Sequence, residues 1–148
     1  MSRIVSTLVL LISGLASAAW PSQSATERNA LDRRIEAPIR AKYRAIRDAR
    51  EWLNPIITIR AEGVEVGSRA IPGGRKTVST SELRALLVGL PVEAWPYGRV
   101  VLASDIGLRS VDASGRLDES DEQSIRQNHE VAERILRVLN IEMEWWPS

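Results

Sequence analysis

Three side chains in the second half of the chain are of types that could perform acid–base chemistry. Asp105 follows a short apolar run, His129 is the single histidine, and Glu130 stands beside it. An aspartate at a strand end could exchange a proton with a group within about 3 Å during hydrolysis. One hypothesis is therefore a small hydrolase that uses Asp105 with His129 or Glu130. Because no Ser or Cys nucleophile motif accompanies these residues, we assign no catalytic residue and favour a protein that is not an enzyme.

Two polar stretches resemble ligand-binding motifs but lack the required spacing. Gly73-Gly74-Arg75-Lys76 does not have the residue order of a phosphate loop, so it is interpreted as a surface loop. The acidic run over residues 118–122 lacks the ligand order of a calcium loop and is interpreted as a helix start. With one His and no Cys, a typical zinc site cannot be built. The sequence predicts no metal and no cofactor.

The charge balance limits the possible partners. The chain has 20 Lys and Arg against 19 Asp and Glu, and Arg3 is the only charged residue among the first 18. A nearly neutral chain argues against nucleic acid, because phosphate binding needs a basic excess. The absence of Cys excludes disulfides and a thiolate nucleophile. A length of 148 residues with 44% apolar residues suits one soluble domain.

The N-terminal segment has the three parts of a secretory signal peptide. A basic start at Arg3 precedes the apolar stretch Ile4–Leu15, and Ala16-Ser17-Ala18 forms a small-x-small cleavage site. The apolar stretch is shorter than the roughly 20 residues that span a bilayer. We therefore expect a signal peptide over residues 1–18 and a periplasmic or secreted protein. An uncleaved signal segment is the alternative and would be the only link to the membrane.

The rest of the chain is predicted to be a flexible or partly helical segment over 19–36 and a single α+β domain over 37–148. Its centre is the stretch Gly98–Gly107, where Val100–Ala103 are apolar as in a strand buried on both faces. Before it, the sequence predicts a helix over 37–52, a hairpin over 56–66 that turns at Gly63, and a helix that begins at the Ser79–Glu82 capping box. After it, the sequence predicts a helix over 122–139 that ends at Asn140, followed by a strand over 141–145. This order, α-β-β-α-β-α-β, predicts a four-stranded sheet with two helices on one face and an extra N-terminal helix.

The predicted helix over 37–52 has one apolar and one basic face. Ile39, Tyr43 and Ile46 form the apolar stripe, and the other face carries Arg residues at 40, 44, 47 and 50. The basic face could bind an anion or dock a partner. The alternative is a solvated face balanced by Asp48 and Glu51.

Several short motifs together resemble the periplasmic domain of the ExbD/TolR family. They are Glu62-Gly63-Val64-Glu65-Val66 in the hairpin, Ser81-Glu82-Leu83 at a helix start, and Val100–Asp105, which ends a central strand in Ala-x-Asp. The resemblance covers about residues 55–146 and implies the fold, export and a scaffolding or binding role. The family's proton-driven role depends on an Asp in a membrane helix, and Ile4–Leu15 contains no acidic residue.

The leading functional hypothesis is an exported, non-catalytic binding or scaffolding module with a protein partner in the cell envelope. Aromatic and Arg side chains are enriched at contact sites, which motivates a set of candidate binding residues. These candidates are Trp95, Tyr97, Trp146, Arg75 and Lys76. A further possibility is a structural subunit of an oligomer that adds a strand to a partner's sheet edge.

Overall fold

A computed structural model of the protein describes residues 19–104 and 119–145, with side chains from residue 25 onward. The α-helices are α1 (Ala19–Arg34), α2 (Arg40–Tyr43), α3 (Thr80–Gly89) and α4 (Glu119–Val138). The strands are β1 (Ile56–Arg60), β2 (Gly63–Gly67), β3 (Arg75–Val78), β4 (Val100–Ser104) and β5 (Glu142–Trp145). Short 3₁₀ turns lie at Ala49–Glu51 and Val92–Ala94. The signal-peptide prediction over residues 1–18 falls outside the described residues.

The strands form one five-stranded mixed sheet in the order β3-β2-β1-β4-β5. β2 runs antiparallel to both β1 and β3, whereas β1, β4 and β5 are mutually parallel. The predicted α+β class is confirmed, and the valine-rich β4 lies inside the sheet between β1 and β5, as expected. Within the described residues, no helix is long and apolar enough to cross a bilayer.

The predicted four-stranded sheet is wrong by one strand, because β3 forms within the stretch interpreted as a loop. Three of the four β3 residues are exposed, and only Val78 is buried. The strand therefore lacks the apolar alternation that marks a strand in sequence. Its stability comes from its pairing with β2, where Val78 lies opposite Val64 in the core and Arg75 lies opposite Gly67.

One face of the sheet is covered by α3 and α4, which pack against each other and against the strands. Leu83 and Leu87 of α3 are fully buried, as is Leu136 of α4. Both predicted helix ends are confirmed. Ser79 and Glu82 form the capping box of α3, and Asn140 adopts the left-handed φ of 57° that ends α4.

The helix α1 is tied to this layer by Arg99, a buried cation at the start of the central strand. Its guanidinium pairs with Asp32 and donates hydrogen bonds to the carbonyls of Ile35 (3.0 Å) and Asn140 (3.2 Å). Leu31 of α1 is fully buried in the same core as α3 and α4. Arg99 thus joins α1, the central strand and the α4–β5 connection.

The second face of the sheet is covered near β4 by the segment between α1 and β1. The predicted single helix over 37–52 is wrong: the segment contains the one-turn helix α2, a turn, and the 3₁₀ turn at Ala49–Glu51. Tyr43 and Trp52 both turn their rings onto the sheet, and with Tyr97 they form a second core over Val100 and Leu102. A continuous helix would not place these large rings on the same small area of sheet.

Glycine permits two close approaches of the backbone, one between the α1–α2 connection and the start of β4 and one between the paired strands β2 and β3. A Cβ atom at Gly98 would clash with the carbonyl oxygen of Ala37, and one at Gly63 would clash with that of Val78. Gly98 also has a φ of 81°, which a residue with a side chain rarely adopts. The chain between α1 and α2 can therefore lie directly against the entry to β4.

Candidate functional site

The two central aromatic residues in the predicted binding set are part of the core. Trp95 is 4% exposed and packs in the core under α3 and α4, whereas Tyr97 is 7% exposed and packs in the second core. The hydroxyl of Tyr97 donates to the carbonyl of Glu51 at 3.2 Å. Because both rings are covered, neither can serve as the contact platform that the sequence suggested.

Two of the remaining predicted binding residues lie side by side on one strand. Arg75 and Lys76 lie on the edge strand β3, where Arg75 Nη1 is 3.7 Å from Glu65 Oε1. This strand is at the opposite edge of the sheet from β5. Trp146 lies outside the described residues. Arg75 and Lys76 are thus exposed cations of a sheet edge rather than of a loop.

The predicted hydrolytic set is only partly described. His129 is half-buried on α4, and its ring lies 5.2 Å from that of Trp145. Glu130 is exposed on the same helix, while Asp105 lies outside the described residues. The hydrolase hypothesis therefore stays a prediction. Within 19–104 and 119–145, no group of three or more His, Asp or Glu residues could hold a metal ion.

The structure forms a cleft on the second face of the sheet, beside the edge strand β5. Its volume is about 610 Å³, within the range of about 300–1,000 Å³ that is typical of ligand pockets. The cleft is lined by Arg40, Tyr43, Arg44, Ile46, Arg47, Trp52, Leu102, Glu144 and Trp145. We call this the second-face cleft. It combines an apolar floor with a cationic rim.

The floor of the second-face cleft is held in place by aromatic packing. The rings of Tyr43 and Trp52 meet edge to face, with centroids 5.5 Å apart, and both contact Tyr97. Asp48 caps the 3₁₀ turn before Trp52 by accepting a hydrogen bond from the backbone N–H of Arg50 at 2.9 Å. The irregular segment that carries the arginines is therefore anchored at both ends by buried rings.

Asn54 holds the end of the arginine-bearing segment, residues 40–54, against the chain around β4. Its amide nitrogen donates to the carbonyls of Gly98 and Val100, each at 2.7 Å, and its amide oxygen accepts from the backbone N–H of Tyr97 at 2.8 Å. The side chain is buried, with every bond made to backbone. It joins the end of the arginine-bearing segment to the central strand.

The charges of the cleft are only partly compensated. Arg40 lies 3.3 Å from Glu142, whose carboxylate raises the pKa of this guanidinium. The hydroxyl of Tyr43 donates to Glu144 at 3.4 Å. Burial, followed by the negative charges of Glu144 and Glu142, raises the pKa of Tyr43, so this phenol remains a neutral donor at physiological pH.

Two rim arginines have no carboxylate partner among the residues that the structure describes. Arg47 donates from Nη1 to the backbone carbonyls of Arg44 (2.7 Å) and Ile46 (3.3 Å), and Arg44 makes no side-chain ion pair there. Asp48, one of the two acids expected to balance them, lies beside Arg50 instead, at 3.5 Å. Arg44 and Arg47 can therefore receive an external anion.

The sequence contained part of the signal for this site. The Arg spacing at 40, 44 and 47 suggested an anion-binding face, but on a regular helix rather than on a folded-back segment. What pattern reasoning missed is the contribution of β5. Glu142 and Glu144 of β5 lie about 100 residues further along the chain, and no local pattern links them to Arg40 and Tyr43.

Comparisons with protein-family models, with curated proteins and with solved structures found no match. The resemblance to the ExbD/TolR periplasmic domain therefore stays a prediction that depends on the motifs quoted above.

Proposed function

We propose that the protein is an exported, non-catalytic binding module of the cell envelope, which holds a protein partner at its second-face cleft. The observation that carries this proposal is a cleft of about 610 Å³ with two rim arginines, Arg44 and Arg47, that lack carboxylate partners among the described residues. Unpaired guanidinium groups beside an apolar floor favour recognition of an anion.

The chemistry of the cleft supports binding rather than catalysis. Among the described residues, its lining includes no Ser, Cys or His, and the raised pKa of Tyr43 keeps this phenol protonated near neutral pH, so it is not available as a base. The signal-peptide pattern in residues 1–18 and the motifs that resemble those of ExbD/TolR support an envelope location with a scaffolding role.

A capture experiment with matched variants tests the proposal. The purified chain, the double variant Arg44→Glu/Arg47→Glu and the control Arg50→Glu are each incubated with a solubilised envelope extract. Arg50 is a suitable control because its side chain is 92% exposed and it does not line the cleft. We expect a protein that is retained by the wild type and by the control but lost from the double variant.

Two outcomes would contradict the proposal. A capture pattern identical for all three chains would mean that the cleft binds no partner.

Export is tested separately by fusing residues 1–30 to a reporter enzyme that is active only outside the cytoplasm. The control fusion carries Arg3→Glu together with Leu10→Asp, which disables the signal. An inactive wild-type fusion would contradict the envelope location.

A further inference from the structure

The second-face cleft has the features of a site for one acidic peptide segment. We infer that the partner presents a single carboxylate, from Asp, Glu or a chain terminus, with an apolar side chain next to it. This inference rests on the proposed function and narrows it. It follows from three properties of the cleft: its free cations, its fixed negative charge and its small exposed apolar area.

The free cations determine the position of the carboxylate. Arg40 lies 3.3 Å from Glu142, so its positive charge already has a carboxylate partner within the protein. Arg44 and Arg47 remain on the rim, three positions apart on the same segment. A guanidinium binds a carboxylate through two parallel N–H donors, which gives strength and direction.

The fixed negative charge limits the anion to a singly charged group. Glu144 lines the cleft and keeps its carboxylate hydrogen-bonded to Tyr43. Together with Glu142, two glutamates face three arginines, which leaves one net positive charge around the cleft. A dianionic phosphate or a nucleic-acid backbone would meet repulsion from Glu144, whereas one carboxylate balances the site.

The exposed apolar area limits the size of the apolar group. Leu102 is only 3% exposed and Trp52 is also buried, so a ligand gains little by covering them. Exposed apolar surface remains mainly at Ile46, which is half-buried, because the ring of Trp145 packs against His129 of α4 on the other face of the sheet. This area suits one apolar side chain of a peptide rather than the long tail of a lipid.

The first test uses a short peptide and nuclear magnetic resonance. Acetyl-Gly-Leu-Asp-Leu-Gly-amide is titrated into the ¹⁵N-labelled chain, and backbone amide shifts are followed. We expect concentration-dependent shifts at Arg44, Ile46 and Arg47, with none at Trp95, which packs on the other face. The isosteric peptide with Asn in place of Asp should bind at least about tenfold more weakly, because it lacks the charge-assisted bonds.

Protein variants provide the second arm. The double variant Arg44→Gln/Arg47→Gln should bind the Asp peptide at least about tenfold more weakly, and the control Arg50→Gln should bind like the wild type. Equal affinity for the Asp and Asn peptides, or for the wild type and the double variant, would overturn the inference. A folded wild type whose cleft amides do not respond to the Asp peptide at millimolar concentration would also overturn it.

Failure of the inference can be separated from failure of the proposed function. If decanoate shifts the cleft amides and the Asp peptide does not, the ligand is a lipid-like anion and the peptide assignment is wrong. If the envelope capture depends on Arg44 and Arg47 while the Asp peptide fails to bind, the binding function stands and only the partner chemistry is wrong. Binding of the peptide without any captured protein would support the chemistry and contradict the envelope partner.

Discussion

Asn54 is the residue on which the packing of the second face most depends. It is buried between the arginine-bearing segment and β4, and it satisfies three backbone groups at once. Buried polar groups that lose their partners cost more than an average hydrogen bond contributes. We therefore expect Asn54 to stabilise the fold mainly by keeping these buried backbone groups hydrogen-bonded.

We predict that Asn54→Ala lowers the free energy of unfolding by about 2–3 kcal/mol, because the N–H of Tyr97 and the carbonyls of Gly98 and Val100 each lose the hydrogen bond that this buried side chain makes. Urea denaturation followed by Trp fluorescence measures the change. The matched control is Asn29→Ala, an exposed position on α1, which should change stability by less than about 0.5 kcal/mol. A loss in Asn54→Ala as small as in the control would contradict the prediction.

At the same scale, the aromatic residues show what sequence reasoning could not decide. Trp95 and Tyr97 flank Pro96 in a turn-rich stretch, which suits an exposed ligand platform but is more typical of a lid over a core. Their burial is set by tertiary contacts: Trp95 packs under the helices, and Tyr97 packs against Tyr43 and Trp52. Such partners lie far away in sequence and leave no local pattern.

Among the secondary structure elements, α3 has the most complete local signal. Within its capping box, the backbone N–H and the hydroxyl of Ser79 both donate to the Glu82 carboxylate, at 3.0 and 2.6 Å. These bonds lower the pKa of Glu82 below its usual 4.5. A carboxyl whose pKa is lower in the folded state stabilises the fold above its unfolded pKa and loses that effect as the pH falls through the folded value.

We predict that wild-type stability falls as the pH drops below about 4.5 and that Glu82→Gln removes part of this fall. The amide can still close the capping box but has no proton equilibrium in this range. Thermal unfolding at pH 7 and at stepwise lower pH measures the difference between the two chains. The exposed Glu93 supplies the control, and Glu93→Gln should follow the wild-type curve.

The elements that could be predicted are those that a local sequence pattern marks. The helices α3 and α4, the β1–β2 hairpin and the interior strand β4 have caps, turns or apolar runs that are visible in sequence. β3 and the segment between α1 and β1 lack such signals, since β3 is mostly exposed and Tyr43 and Trp52 belong to different turns. The second-face cleft depends on both that segment and β5, and so only its arginines could be anticipated.

For the molecule as a whole, the sheet has two edges, β3 and β5, and β3 carries Arg75 and Lys76. Charged side chains on an edge strand oppose pairing with the edge of another molecule. We predict that Arg75→Thr/Lys76→Val increases self-association with concentration, measured by light scattering. Arg69→Thr, an exposed substitution outside the strand, is the control. Equal masses for all three chains would show that these cations do not protect the edge.

Arg99 has a practical consequence for any shortened version of this protein. Its charge is buried at the first residue before β4, and its counter-ion Asp32 and the acceptor Ile35 both come from the end of α1. A fragment that starts at residue 37 would keep Arg99 but lose Asp32, which neutralises it. An unpaired buried charge is strongly destabilising. The smallest autonomous folding unit must therefore begin upstream of Asp32, even though all five strands lie downstream of it.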